Sequence, residues 1–327
     1  MNSWGNNFKI SIFGESHGEA LGVVVDGVRP GLPLDAEQML PDLTRRRAGG
    51  QGTTARREPD TPQIVSGLFR GRTTGAPLAV MFRNVDAQAS DYERFIDTPR
   101  PSHVDFVASR KYHGYNDFRG GGHLSGRLTL PLVAAGVVAK LHIAPVVVRA
   151  RLLSVGGSPN VEQQVAQAQA QSDSVGGLVE CEATGLPVGV GEPLFGSVES
   201  AIAALAFAIP GVRGVEFGAG FAAAAMRGSQ HNDPIVSPDG RTSSNHAGGV
   251  VGGITNGNAL IFRVAVKPTA SIGGEQRTLN MMTGQLEPLQ IGGRHDACIA
   301  LRVPVVLEAV AAIALADLML AHRMHNV

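Results

Sequence analysis

Three stretches of this chain set histidine among glycine, arginine and carboxylate, in a pattern suited to acid–base chemistry on an anion. They are Gly14-Glu15-Ser16-His17-Gly18, Arg100-Pro101-Ser102-His103 and Gly293-Arg294-His295-Asp296. A histidine between glycines sits uncovered on a turn and can give or take a proton near neutrality. Such a histidine can equally be held by backbone alone, and the pentapeptide around His17 does not separate the two. Asp296 beside Arg294 is expected to stay ionised and serve as a base; the other reading is a structural Arg/Asp pair.

The basic residues favour bound anions over solvated surface. Only Lys9, Lys111, Lys140 and Lys267 are lysine, which leaves 24 arginines among the 28 basic residues. The guanidinium fork matches carboxylate and phosphate in a way that an ammonium does not. Arg45-Arg46-Arg47 and Arg56-Arg57 flank the glycine-rich segment 49–52, so both groups are expected to converge on one multiply charged anion, with some of them balanced by Glu58 and Asp60. That loop lacks the GK[ST] ending of a nucleotide-binding phosphate loop. Gly120-Gly121-Gly122, ahead of a predicted helix, reads as a phosphate dock at a positive helix end, or as a site of close packing.

The elements that must position these residues mix strands and helices. Short β-branched runs predict strands at Phe8 to Phe13, Leu21 to Val28, Gln63 to Phe69 and Leu78 to Phe82, and later at Pro145 to Leu153, Leu178 to Ala183, Val215 to Met226 and Ala259 to Val266. Helices are predicted at Ser125 to Ile143, Val161 to Gln171, Glu199 to Phe207 and Pro304 to His322. Asp35 and Gln38 form a capping-box signature for a helix running toward Arg47. Pro41 either kinks that helix or lies in the first turn of one that starts later. The class is α+β, in one domain over residues 1–327, with no internal repeat at a fixed period.

Composition narrows the function. Formal net charge is zero and aromatics are 5%, which argues against a nucleic-acid partner. The most apolar stretch, Val303 to Leu320, carries Glu308 and Asp317 and reads as a buried or interface helix, so no membrane partner is expected. Cys181 and Cys298 form no ligand pattern, so no metal is expected. The N-terminus has no secretory signature, so the cytoplasm is.

In order, GESHG, RRRxG with TTxRREPD, RPxH, GGG before a helix, RGSQ, SNHAGG, KPTxS and GRHD span nearly the whole chain, which in these segments resembles the chorismate synthase family. The resemblance implies a β-α-β sandwich with helices packed between antiparallel sheets, a homotetramer, and elimination of phosphate from 5-enolpyruvylshikimate 3-phosphate to give chorismate. Reduced FMN is the implied cofactor, with NADP and an external flavin reductant, and the reaction has no net redox change. The implied substrate is a small phosphorylated dicarboxylate, roughly four negative charges near neutral pH, which would account for the arginines.

By resemblance, His17 protonates the leaving phosphate, His103 sits at the reduced flavin and Asp296 relays the proton through flavin N5. Ser16, Arg45, Arg127 and Arg294 are implied for substrate. His123, Leu124, Ser125, Gly257, Lys267, Pro268, Thr269, Ala270, Ser271 and Arg294 are implied for flavin. The chain departs from the family pattern at Gly121 to Leu128, where the family has GGRSSARE, and at Ala208 to Glu216. An alternative is therefore a divergent paralogue that keeps the fold, binds flavin weakly or not at all, and recognises another phosphorylated carboxylic acid.

Overall fold

Leu21, Val23 and Val25 are fully buried along the strand Ala20–Asp26 and form the inner face of a first sheet. This strand pairs antiparallel with Lys9–Gly14 on one side and Leu78–Arg83 on the other. Ser3–Trp4 and Gln63–Ser66 complete the five strands. A second antiparallel sheet runs in the order Val212–Phe217, Leu260–Val266, Gly177–Thr184, Val147–Val155. The computed structural model describes residues 1–54, 56–86, 92–292 and 295–325, with side chains to 323.

The helices Thr129–Ile143 and Val303–His325 pack on each other between the two sheets, the former on the first sheet and the latter on the second. This is the expected β-α-β sandwich. Residues 129–139 are buried without a break, as a helix enclosed on every side requires. By length and composition Arg119–Ile143 and Ile299–Arg323 would suffice to cross a membrane, but 72% and 83% of their apolar windows are buried inside the fold. Buried residues of both sheets and both helices belong to one continuous core.

The two acidic residues of the C-terminal helix tie the layers together. Asp317 Oδ1 accepts the backbone N–H groups of Asn6, Asn7 and Phe8, anchoring the chain just before the first sheet. Glu308 accepts from Arg45, Lys140 and the Ala150 N–H, which joins a peripheral helix, the central helix and the second sheet. Both cysteines are free and buried.

Most predicted elements appear with small shifts at their ends. The strand expected over Gln63 to Phe69 breaks at Gly67, where φ is +82°, into two short strands of different sheets, and two further elements differ. The capping box between Asp35 and Gln38 forms, but it closes a 3₁₀ turn at Glu37–Met39. The α-helix Leu40–Arg46 starts after it, with Pro41 in its first turn. The strand expected to reach Met226 ends at Phe217, because the alanine-rich segment Gly220–Ala225 coils into a 3₁₀ helix.

A methyl group added at Gly136 would lie 2.3 Å from Ala309 Cβ and 2.5 Å from its Cα. Gly136→Ala gains about 1 kcal/mol of helix propensity. Overpacking costs about 1–3 kcal/mol, and here one of the clashing atoms belongs to backbone that cannot rotate away. The substitution is therefore expected to lower the thermal midpoint, read by circular dichroism. An unchanged or raised midpoint would show that the helices separate freely.

Candidate active site

Both core helices begin at one cleft. Ser125 caps the start of the central helical segment, accepting from the Arg127 N–H, and Arg302 precedes the C-terminal helix. A chamber of about 560 Å³ lies against these starts, walled by apolar residues such as Val107, Pro210, Ile299, Val303 and Val306. Its polar groups include His103, Ser125, Arg213, Lys267, Thr269, Asp296 and Arg302. Lys267 Nζ donates to the Ser102 carbonyl at 2.9 Å, and burial followed by the charge of Arg213 lowers its pKa. A largely apolar chamber with convergent polar groups suits a flat organic ligand.

A smaller chamber, about 210 Å³, adjoins it and shares Gly120, Ser125, Gly126, Thr269, Asp296 and Arg302. Arg46, Arg47, Arg56, Arg127 and Arg302 line it, against the carboxylates Glu58, Asp60 and Asp296. Among the described residues that is five positive charges against three negative, a surplus of two. Glu58 holds Arg56 at 2.7 Å, Asp60 binds Arg46 and Arg127, and Asp296 lies 3.3 Å from Arg302. Burial, then repulsion by Arg302, pushes Arg46 down to about 9. The carboxylates shape the array without neutralising it.

His17 is buried beside this chamber, edge-on to Tyr92 with ring centroids 5.1 Å apart. Gly120 has φ +58°, and a Cβ there would sit 2.4 Å from His17 Cε1, so only glycine lets the backbone press against the imidazole. Burial lowers the His17 pKa, and the charges of Arg56 and Arg119 lower it further. Ser16 accepts from Arg56 through both its hydroxyl (3.0 Å) and its carbonyl (2.9 Å). Asp296 Oδ1 accepts the Thr54 N–H at 2.8 Å. His17 Nδ1, Thr269 Oγ1, His295 Nδ1 and Arg127 Nη2 are buried with no hydrogen-bond partner among the described residues, so a polar ligand in the cleft would find groups to bond.

A family model for chorismate synthase matches residues 8–320. The chain belongs to the chorismate synthase family. It is 58% identical over 327 residues to a chorismate synthase of Chitinophaga pinensis, covering all of this chain and 98% of the relative. It is 43% identical to those of Dehalococcoides mccartyi and Thermococcus kodakarensis, covering 98% of this chain in each case and 96% and 98% of the relatives. A crystal structure of a chorismate synthase superposes with a TM-score of 0.74 at 26% identity, covering 98% of this chain and 93% of that one.

As a chorismate synthase the chain is a carbon–oxygen lyase of the shikimate pathway, removing phosphate from 5-enolpyruvylshikimate 3-phosphate. Family membership also carries a flavin cofactor in general. Nothing in the comparisons favours the divergent-paralogue alternative.

Of the residues that the chorismate synthase resemblance singled out, His103, Leu124, Ser125, Lys267, Pro268, Thr269, Ala270 and Asp296 line the larger chamber. Ser16 and Arg127 line the smaller. Arg45 does not: it forms a bidentate pair with Glu308 at 2.7 and 2.8 Å and also binds Asp42. His123 turns away as well, its Nδ1 lying 2.7 Å from the Gly14 carbonyl. Ser271 is buried against Arg100 and lines neither chamber, and Gly257 packs near Val188 away from both. Arg294 lies outside the described residues.

Gly120 of the glycine run lines both chambers. Gly120, Gly121 and Gly122 all have positive φ, and the run serves a tight turn that packs on His17 and Asp117. Arg46, Arg47, Arg56, Arg302 and His295 were not singled out as site residues. For the first three the converging-loop argument was the available signal, whereas Arg302 belongs to no motif.

Arg302→Met and Arg56→Met are each expected to weaken substrate binding about tenfold or more in a calorimetric titration, the scale of a lost charge-assisted contact. Arg45→Met is expected to leave binding intact and lower the melting temperature, since it strips one partner from buried Glu308. The reverse pattern would put Arg45 back at the ligand.

Proposed function

We propose that the two chambers divide the chorismate synthase reaction, with reduced FMN in the larger, the phosphorylated dicarboxylate in the smaller, and the reacting ring at their shared wall. The observation that carries this reading is the surplus of two positive charges in a small chamber that opens, past Ser125, Thr269 and Asp296, onto an apolar one. The apolar walls, with orphaned Thr269 Oγ1 and Lys267 at hand, fit a flavin. When bound, reduced FMN supplies and recovers electron density, so that elimination proceeds without net redox change.

The chain's own groups have distinct tasks in this reading. Arg47, Arg56 and Arg302 clamp the anionic groups, and Arg127 is held for the same end by Asp60. His17 is kept neutral in the free chain by burial and by Arg56 and Arg119. A phosphate beside it reverses that balance, so the imidazole gains its proton where the leaving oxygen needs one. Asp296, fixed by the Thr54 N–H and Arg302, is the carboxylate placed to take the proton that leaves the ring. His103 faces the flavin side.

The reading includes one domain over residues 1–327, a soluble cytoplasmic homotetramer, NADP, and an external source of reduced flavin. The location is supported by relatives that are biosynthetic enzymes of bacteria and archaea.

The test is anaerobic incubation with substrate and chemically reduced FMN, following phosphate and chorismate. Both products are expected, and a folded chain that forms neither would overturn the reading. His17→Ala and Asp296→Ala are each expected to lose about 10²–10⁴-fold in turnover while still binding reduced FMN, measured by fluorescence. A near-normal rate in either variant removes that residue from the reaction.

A further inference from the structure

Residues 100–105 turn tightly ahead of the helix Asp105–Lys111, and three side chains there are linked in a row through Asp105. His103 Nδ1 lies 2.6 Å from Asp105 Oδ1. Arg100 donates to Asp105 through Nε and Nη2, at 2.8 Å each, and through its backbone N–H at 3.1 Å. The Arg100 and Asp105 side chains are only 6% and 7% exposed, and the guanidinium is capped by the Phe95 ring at 4.3 Å. Arg100 Nη1 also reaches Ser271 Oγ at 3.0 Å, at the end of the loop that supplies Lys267 to Ala270 to the larger chamber.

An arginine-bound carboxylate can only accept hydrogen bonds. The hydrogen shared by His103 and Asp105 must therefore sit on Nδ1, which leaves Nε2 as the nitrogen available to the chamber. We propose that Asp105 is a positioning residue for this reaction, holding His103 in that one tautomer and orientation, and that Arg100 sets the strength of its hold. The inference rests on the reading above only for what His103 faces.

The electrostatics agree with the geometry. Burial lowers the His103 pKa; the bond to Asp105 opposes this, and the charges of Arg100 and Lys267 add to it. Burial would raise the Asp105 carboxyl, yet Arg100 and His103 hold it well below the usual carboxylate range. Asp105, Arg100 and Lys267 are the charged groups acting on the imidazole, and Gly121 leaves its Cε1 edge uncrowded. Removing Asp105 and removing Arg100 should consequently act in opposite directions. A purely structural pair would give the same sign for both.

The experiment is titration of the ligand-free chain labelled with ¹³C and ¹⁵N in histidine, the His103 signals being assigned by their loss in His103→Asn. In the wild type the neutral ring is expected to carry its proton on Nδ1. Asp105→Asn is expected to mix the tautomers and to make the His103 proton about tenfold easier to lose, as when an aspartate that orients a catalytic imidazole is replaced by its amide. Arg100→Met is expected to make it about tenfold harder to lose, and Ser271→Ala to change nothing.

Shifts of the same sign in Asp105→Asn and Arg100→Met, or none, would overturn the proposal. If Asp105→Asn does not fold, Arg100→Met decides: a rise in proton affinity supports the role, and a fall or no change sinks it. The measurement uses neither flavin nor substrate, so its outcome is separate from that of the anaerobic assay.

Discussion

The close crossing of the two core helices, where Gly136 meets Ala309, is the constraint on which the rest depends. Small residues on both helices let their axes approach, and each helix then covers its own sheet. Because both helices start at the cleft, their separation also sets the spacing of Arg127 and Arg302 across the smaller chamber. The two N-terminal ends bring positive potential to the same place. Core packing and anion recognition are thus one geometric fact seen at two depths.

The arginines divide into two populations that differ by their partners. Arg45 on Glu308, Arg100 on Asp105 and Arg263 on Glu180 each satisfy a carboxylate and leave no charge over. Those of the smaller chamber share three carboxylates among five and remain underpaired. A buried ion pair adds little net stability, because desolvation offsets the attraction. The paired arginines are therefore better understood as fixing geometry, and Glu308 shows it by linking three elements to one helix.

Much of this was legible in the chain's own pattern. Short β-branched runs located the strands, and the helix expected from Ser125 to Ile143 forms over Thr129–Ile143. Which of three adjacent arginines faces the smaller chamber was not legible. Each step along a helix turns about 100°, so Arg45 points to Glu308 while Arg46 and Arg47 face the chamber, and spacing carries no mark of the helix's orientation.

His123 lies outside the two chambers for a similar reason: three glycines with positive φ turn the chain just before it, so Ser125 and Arg127 meet the chambers and His123 meets the first sheet. Arg302 was invisible because its role comes from the helix it precedes, which packs on a partner far away in sequence.

The surplus charge of the smaller chamber has a consequence for the life of the protein outside turnover. Like charges held together by a rigid frame store repulsion, and an anion that enters releases it. Occupancy and folding are then linked, because whatever binds only the native chain deepens its well. On the proposed reading, substrate held in the smaller chamber therefore stabilises the folded enzyme as well as entering its chemistry.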